Sequence, residues 1–313
     1  MASDTPQGAP VKILLIGPDG QLGWELCRAL APLGQVCPLG LHTQPALDLA
    51  QPDHLRAALR AFNPQWIVNA SAYTAVDRAE EETGLAMAVN ADAPGILAEE
   101  AKRAGAALIH YSTDYVFDGA QDRPYREDDP PRPANAYGVG KLAGEQAVEA
   151  VGGAYWILRT SWLYGARGQN FLRTMLRLGA ERDELKVVDD QRGSPTWCRM
   201  VAEATAQMLA QTRVAGAAPA AGVAERTGVY HVTCAGETTW CGFAGAIFSR
   251  TAAHGGKGPR VVPIPTDAYP TPARRPAYSV LSNTRLRETF GLCLPPWEEA
   301  LGQCLEDMGY PPG

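Results

Sequence analysis

Residues 11–23 read Val-Lys-Ile-Leu-Leu-Ile-Gly-Pro-Asp-Gly-Gln-Leu-Gly. Val11 to Ile16 is a short, mostly apolar run, the pattern of a parallel strand buried on both faces. Gly17, Gly20 and Gly23 follow at G-x-x-G-x-x-G spacing, and leucines and alanines recur at helical spacing from Gln21 to Leu33. The unit is therefore strand, glycine turn, helix. Glycines there permit a tight turn, close approach of backbone to a diphosphate, and close packing of helix on sheet. The helix start, at Gln21 and Leu22, offers free N–H groups to phosphate charge. A glycine triplet alone is a weak sign, but in this strand–turn–helix context it points to a dinucleotide site.

The same alternation continues outward. Strands are expected at Val36–Leu39, Trp66–Asn69, Ala107–Ser112 and Trp156–Arg159, with helices at Leu55–Phe62, Ala86–Arg103 (Pro94 kinking it) and Asn135–Ala150. Alternating strands and helices imply a parallel sheet covered on both faces, a doubly wound α/β Rossmann fold. After Ser161 the rhythm changes. Helices are expected at Phe171–Gly179 and Met200–Gln211, a strand at Leu185–Val188, a surface loop at 212–227, and a late strand of the first sheet at Val229–Thr233. Prolines are dense from Pro259 onward, as in a loop-rich wall over a site. The expected organisation is a dinucleotide-binding domain, 11–160 plus about 187–234, and a smaller mixed α/β substrate lobe, 235–313 plus about 161–186. Residues 1–10 read as a flexible tail.

Composition narrows the function classes. The 313 residues carry a net charge of −6, without the basic runs that mark nucleic-acid or membrane-surface binding. No apolar stretch reaches the roughly 20 residues of a spanning helix. The seven cysteines are scattered, odd in number and without C-x-x-C, as expected of reduced thiols in the cytoplasm.

Tyr137 and Lys141 stand at i and i+4 on a predicted helix, on one face. A free phenol titrates near 10, and a neighbouring ammonium is expected to lower that value. Tyr137 could then protonate a carbonyl oxygen as hydride reaches the carbon. Such a pair is common on helix surfaces, so position matters. Ser112-Thr113-Asp114 lies upstream, at the carboxyl end of a predicted parallel strand, where open α/β sheets bind ligands. A hydroxyl there can donate to a developing alkoxide. Thr113 is the first candidate and Ser112 the second. At the adenosine end, Pro38 to Thr43 contains neither the acidic residue of an NAD-selective fold nor an arginine for a 2′-phosphate. Asp48 and Leu49 come later and could border the adenine. This favours NADPH, or use of both NADPH and NADH.

These motifs in this order resemble the extended short-chain dehydrogenase/reductase superfamily, and within it the dTDP-4-dehydrorhamnose reductase family. The blocks that carry the resemblance are 69–77 (NASAYTAVD), 110–119 (HYSTDYVFDG), 137–145 (YGVGKLAGE), 159–164 (RTSWLY), 190–196 (DQRGSPT) and 275–279 (RPAYS), running in family order over most of the chain. The resemblance implies reduction of the C4 ketone of dTDP-4-dehydro-L-rhamnose by NAD(P)H, giving dTDP-L-rhamnose. It implies Tyr137 as acid, Lys141 as its modulator and a ribose ligand, and Thr113 as hydroxyl partner. Asn69, Ala70, Ser71, Ala72 and Ser112 would line the cofactor, and Asp114, Tyr115 and Trp162 would contact the sugar. An indole suits a sugar's apolar face and keeps a donor N–H. Some members join subunits through magnesium held by glutamates. Glu25 and Glu298 match two of those positions, but the third is Arg199, whose charge repels a cation, so no metal is expected and a homodimer is left open. For the diphosphate, Arg274, Arg275, Lys257 and Arg260 are candidates, with Arg275 carried forward, because a guanidinium fork matches phosphate. His110 and His231 read as core histidines, and His42, His54 and His254 make no metal-ligand spacing with the cysteines. Two other readings follow from the superfamily: a nucleotide-sugar epimerase or dehydratase, and a non-catalytic NAD(P)-binding regulatory subunit.

Overall fold

The apolar run ahead of the glycine turn forms the strand β1 (Lys12–Ile16), with four of its five residues buried. After it come α1 (Gln21–Ala29), β2 (Gln35–Leu39), α2 (Pro52–Phe62), β3 (Trp66–Asn69), α3 (Thr83–Met87), α4 (Ala93–Ala104), β4 (Ala107–Thr113), α5 (Ala136–Val151) and β5 (Ala154–Thr160). The second half carries β6 (Leu163–Tyr164), α6 (Phe171–Glu181), β7 (Glu184–Val188), β8 (Arg192–Gly193), β9 (Thr196–Trp197), α7 (Cys198–Gln211), α8 (Ala221–Ala224), β10 (Gly228–His231), β11 (Thr238–Thr239), α9 (Trp240–Ala252), β12 (Arg260–Ile264), α10 (Thr284–Phe290) and α11 (Trp297–Asp307). This computed structural model describes residues 10–213, 218–252 and 258–310. The expected tail at residues 1–9, His254 and Lys257 lie outside the described residues.

Six strands form one sheet in the order β10-β5-β4-β3-β1-β2, every neighbouring pair parallel. From β2 the chain crosses β1 to reach β3. The crevice beyond the carboxyl ends of β1 and β3 is thus the topological switch point where such sheets bind ligands. Apolar side chains of alternate strand residues enter two cores. One holds Ile13, Leu15, Val68, Ile109 and Trp156 with α1, α7 and the lobe; the other holds Leu14, Ile16, Ile67, Leu108 and Ile157 with α2 and α4. This division is what a two-residue period predicts.

The lobe is built from small sheets. β7 pairs with β12, β8 with β11, and β6 with β9. Residues 187–197 therefore pair with lobe strands, and the chain returns to the nucleotide-binding half with α7, which packs on α1. The expected loop at 212–227 contains α8, whose Val223 is buried. The proline-rich wall is punctuated by β12 and α10, and α9 and α11 were not foreseen. The expected helix 86–103 is interrupted by a π-turn at Ala88–Asp92, and Pro94 sits harmlessly in the first turn of α4.

Both outer edges of the main sheet are modified. Gln35 N–H and Leu39 C=O bond inward to the β1 side, so Val36 and Pro38 face outward. On β10, the outward His231 N–H donates to Glu127 Oε1 at 2.9 Å, and Arg285 Nη1 donates to Val229 C=O at 3.2 Å.

Candidate active site

The glycine turn is shaped by close contacts. Gly17 has φ +84°, and a Cβ there would lie 2.9 Å from the Ser71 backbone. A Cβ on Gly23 would lie 1.9 Å from the Gly17 carbonyl. Gly20 is the N-cap of α1 and offers no side-chain cap, so the first N–H groups of Gln21, Leu22 and Gly23 remain for an anion. The Gln21 side chain is committed, donating to Leu163 C=O at 3.1 Å and accepting from Asn170. This ties the loop after β6 over the cradle. The residues fit a dinucleotide: free donors, no Cβ in the way, and a buried Ser112 hydroxyl without a partner nearby on β4.

Asn69 ends β3 wholly buried, and its Oδ1 accepts the Ser71 N–H at 3.2 Å. Ala70 N–H donates to Ile16 C=O at 2.9 Å, which sets the 69–72 segment beside β1. Asp48, half-buried, accepts Ala50 N–H at 2.9 Å through Oδ1, and Leu49 is buried in the second core.

The predicted reacting groups converge. Thr113 ends β4, and its hydroxyl contacts the Tyr137 phenol, donates to Asp114 Oδ1 at 3.0 Å and accepts Tyr115 N–H at 3.2 Å. Asn135 caps α5 by accepting Gly138 N–H at 2.8 Å, and its amide reaches the Arg274 carbonyl, which fixes where Tyr137 stands. Gly138 is required, since a Cβ there would lie 2.2 Å from the Tyr115 carbonyl. Burial pushes the Tyr137 phenol up to about 12, opposed by the Thr113 bond. The expected lowering by Lys141 is not what this geometry shows. The buried Lys141 Nζ donates to Tyr111 C=O at 2.7 Å and lies 3.2 Å from His110 Nε2, and burial pulls it down to about 8. Desolvation outweighs charge attraction here.

Asp114 is wholly enclosed, and burial pushes its carboxyl up to about 6 against hydrogen bonds from Ser279 and Thr113. Its Oδ2 has no partner. Because the folded value exceeds the unfolded one of about 3.9, the stabilising contribution is full below pH 4 and is lost as pH rises through 6. Asp114→Asn should therefore raise stability at pH 8 by about 1–3 kcal/mol and leave it nearly unchanged at pH 4. Denaturant unfolding of both proteins at the two pH values checks this.

The lobe supplies a wall. Trp162 has φ +45° and stacks on Trp240 with ring centroids 3.5 Å apart and planes 4° from parallel. Gly193 leaves room for the indole, since a Cβ there would lie 2.4 Å from it. Trp240 Nε1 donates to Gln191 Oε1 at 3.2 Å. Tyr115 meets Tyr137 edge-on, with centroids 5.6 Å apart. Arg275 is anchored, not free: it donates to both Asp77 oxygens at 3.0 and 2.8 Å and to the Thr271 hydroxyl. Arg274 is exposed, and Arg260 is paired with Glu184 in the β7–β12 sheet. Arg199 Nε donates to Glu25 Oε2 at 3.2 Å and also pairs with Asp307. Trp240, Gly193, Asp77 and Ser279 were not singled out from sequence. Asp77, Gly193 and Ser279 lay inside the motif blocks, whereas nothing around Trp240 marked it.

The family described as the RmlD substrate binding domain matches residues 11–310. A dTDP-4-dehydrorhamnose reductase of Burkholderia thailandensis is 52% identical over 305 residues, covering 95% of this chain and 99% of that protein. Among solved structures, a dTDP-4-dehydrorhamnose reductase from Clostridium acetobutylicum superposes with TM-score 0.86 at 37% identity, over 96% of this chain and 100% of the other. The enzyme of the same name from Bacillus anthracis, solved in complex with NADP, gives TM-score 0.83 at 36% identity, over 95% and 99%.

Proposed function

The chain belongs to the RmlD substrate binding domain family, and from that membership we propose that it reduces the C4 ketone of dTDP-4-dehydro-L-rhamnose to dTDP-L-rhamnose. The observation that carries the reading is the Tyr137 phenol set against the Thr113 hydroxyl at the carboxyl end of β4, with Lys141 one turn further along α5. A nicotinamide dinucleotide in the Gly17–Gly23 cradle supplies the hydride when bound.

Tyr137 donates its proton to the C4 oxygen. With the phenol held near 12, it stays protonated at neutral pH and is ready as an acid. Thr113 turns its one hydroxyl proton from Asp114 Oδ1 to the same oxygen as negative charge develops there. When the dinucleotide is bound, Lys141 would hold the nicotinamide ribose, and Ser112, with the 69–72 segment, would line the ring's pocket. Trp162 packs on the sugar's apolar face, and Asp114 and Tyr115 hold its hydroxyls. Arg275, steadied by Asp77, would meet the diphosphate with its remaining N–H.

NADPH is the favoured donor over NADH, because the residues after β2 contain no carboxylate to repel a 2′-phosphate. We place the protein in the cytoplasm; among the described residues no helix is long and apolar enough to cross a membrane. Should two copies pair, the Glu25 carboxylate is already occupied by Arg199 and needs no magnesium.

The test mixes purified protein with dTDP-4-dehydro-L-rhamnose and either NADPH or NADH, follows loss of reduced-nicotinamide absorbance, and identifies the sugar product. Stoichiometric consumption with dTDP-L-rhamnose formed, faster with NADPH, is the expected result. Turnover of a nucleotide sugar without net consumption of the nicotinamide would mean an epimerase instead.

A further inference from the structure

Trp240 begins α9 in the lobe, and the reaction described above gives it no task. It lies flat against Trp162, with ring centroids 3.5 Å apart and planes 4° from parallel. Aromatic rings left to themselves prefer offset or edge-on pairing, so the surroundings must hold these two face to face. Trp162 is held through its backbone. Its φ of +45° lies in the left-handed region, which a bulky residue rarely enters. The chain is pinned on both sides of it. The Ser161 hydroxyl donates to Ser194 C=O at 2.9 Å, and Trp162 C=O accepts Thr196 N–H at 3.2 Å.

Trp240 is held through its side chain. Its indole N–H donates to Gln191 Oε1 at 3.2 Å, and the Gln191 amide donates onward to the Thr266 hydroxyl at 3.0 Å. An indole nitrogen can only donate, which fixes the orientation of that amide. Phe171 packs against Trp240 at a tilt, with centroids 4.7 Å apart.

The opposite face of Trp162 is bordered by Gly193. A Cβ there would stand 2.4 Å from Cε2, 2.5 Å from Nε1 and 2.8 Å from Cζ2. These distances put it above the ring, because a point in the ring plane that near Cε2 would lie nearer still to one of the atoms bonded to it. Trp240 fills one face, so the Cβ would stand on the other. Glycine thus leaves that second face without a side chain. The same strand borders the sugar pocket: Ser279, whose hydroxyl bonds the Asp114 carboxyl, donates its N–H to Arg192 C=O at 2.8 Å.

We propose that Trp240 is a positioning residue for the sugar: by filling one face of Trp162 it turns the face beside Gly193 to the sugar and fixes it near Asp114. The role in sugar binding rests on the reductase reading, but the stack does not.

Titration calorimetry of the whole protein compares dTDP-L-rhamnose with dTDP, which lacks the sugar. Trp240→Met should cut the ratio of the two affinities by about five-fold or more, with dTDP and NADPH bound as in the parent. Trp240→Phe keeps a ring against Trp162 and should restore most of the ratio. In a Trp162→Met background, Trp240→Met should change the ratio no further, since it acts through that indole. Equal loss for dTDP and the sugar nucleotide, a loss that persists in the Trp162→Met background, or weakened NADPH binding would make Trp240 a structural residue and overturn the proposal.

The stack itself is read by NMR without ligand. The Trp162 indole N–H signal, assigned by its absence from Trp162→Met, should move downfield in Trp240→Met as the neighbouring ring current is removed. An unmoved signal also overturns the proposal. If the signal moves but the parent holds dTDP-L-rhamnose no better than dTDP, the reductase reading fails and the stack stands.

Discussion

Tyr137→Phe should lower kcat by about 10²–10⁴-fold while leaving KM for both substrates within a few-fold. The substitution removes one oxygen from a ring that stays packed edge-on against Tyr115. It removes the phenol placed against Thr113 at the mouth of β4. The hydride could still be delivered, but the alkoxide would form without a proton donor, leaving Thr113 to stabilise it alone. Loss at the transition state with little change in ground-state binding is what distinguishes an acid from a contact residue. Steady-state kinetics with the dTDP-sugar check it. A variant within ten-fold of the parent would remove Tyr137 from the mechanism.

Arg159→Met should destabilise the protein by about 3–5 kcal/mol. Arg159 on β5 makes a two-pronged bond to Glu145 of α5, at 2.9 and 2.6 Å, with both side chains nearly free of solvent. The guanidinium also lies 5.2 Å over the Phe117 ring. Methionine preserves much of the volume, so the loss would come from Glu145, left buried and unpaired. At roughly 2–4 °C per kcal/mol for a domain somewhat smaller than this one, the melting temperature should fall by about 6–20 °C. The double change Arg159→Met with Glu145→Leu should recover most of that loss, because an apolar pair of similar size can replace a buried ion pair. If the double variant were no better than the single, the cost would lie in packing against Phe117 instead.

The parallel sheet was legible because its strands are unbroken apolar runs with a glycine turn at the first. Thr113, Tyr137 and Lys141 were legible because a strand end and a helical spacing of four each have a chemical meaning. What the spacing could not show was the direction of the Lys141 amine. On an isolated helix it would sit near Tyr137; in the fold it turns to the Tyr111 carbonyl and His110, because β4 passes beneath α5. The lobe was the least legible part. Its pairings join residues far apart in sequence, such as Leu185 with Val261, and its strands of two residues carry no period to read. α9 was hidden because both of its faces are apolar or small, so no stripe stands out. The π-turn before α4 was invisible because Ala88–Asp92 contains neither Gly nor Pro to mark a break in the helix.

The treatment of the sheet's two flanks limits what the protein can do wrongly. On one flank, Pro38 withholds an outward donor; on the other, a carboxylate from a loop and a guanidinium from α10 already occupy the ladder positions of His231 and Val229. An intruding chain would have to displace a charged group at one side and do without a bond at the other. The sheet is thus a poor template for fibril growth, and its strand number is fixed by side chains as firmly as by the core.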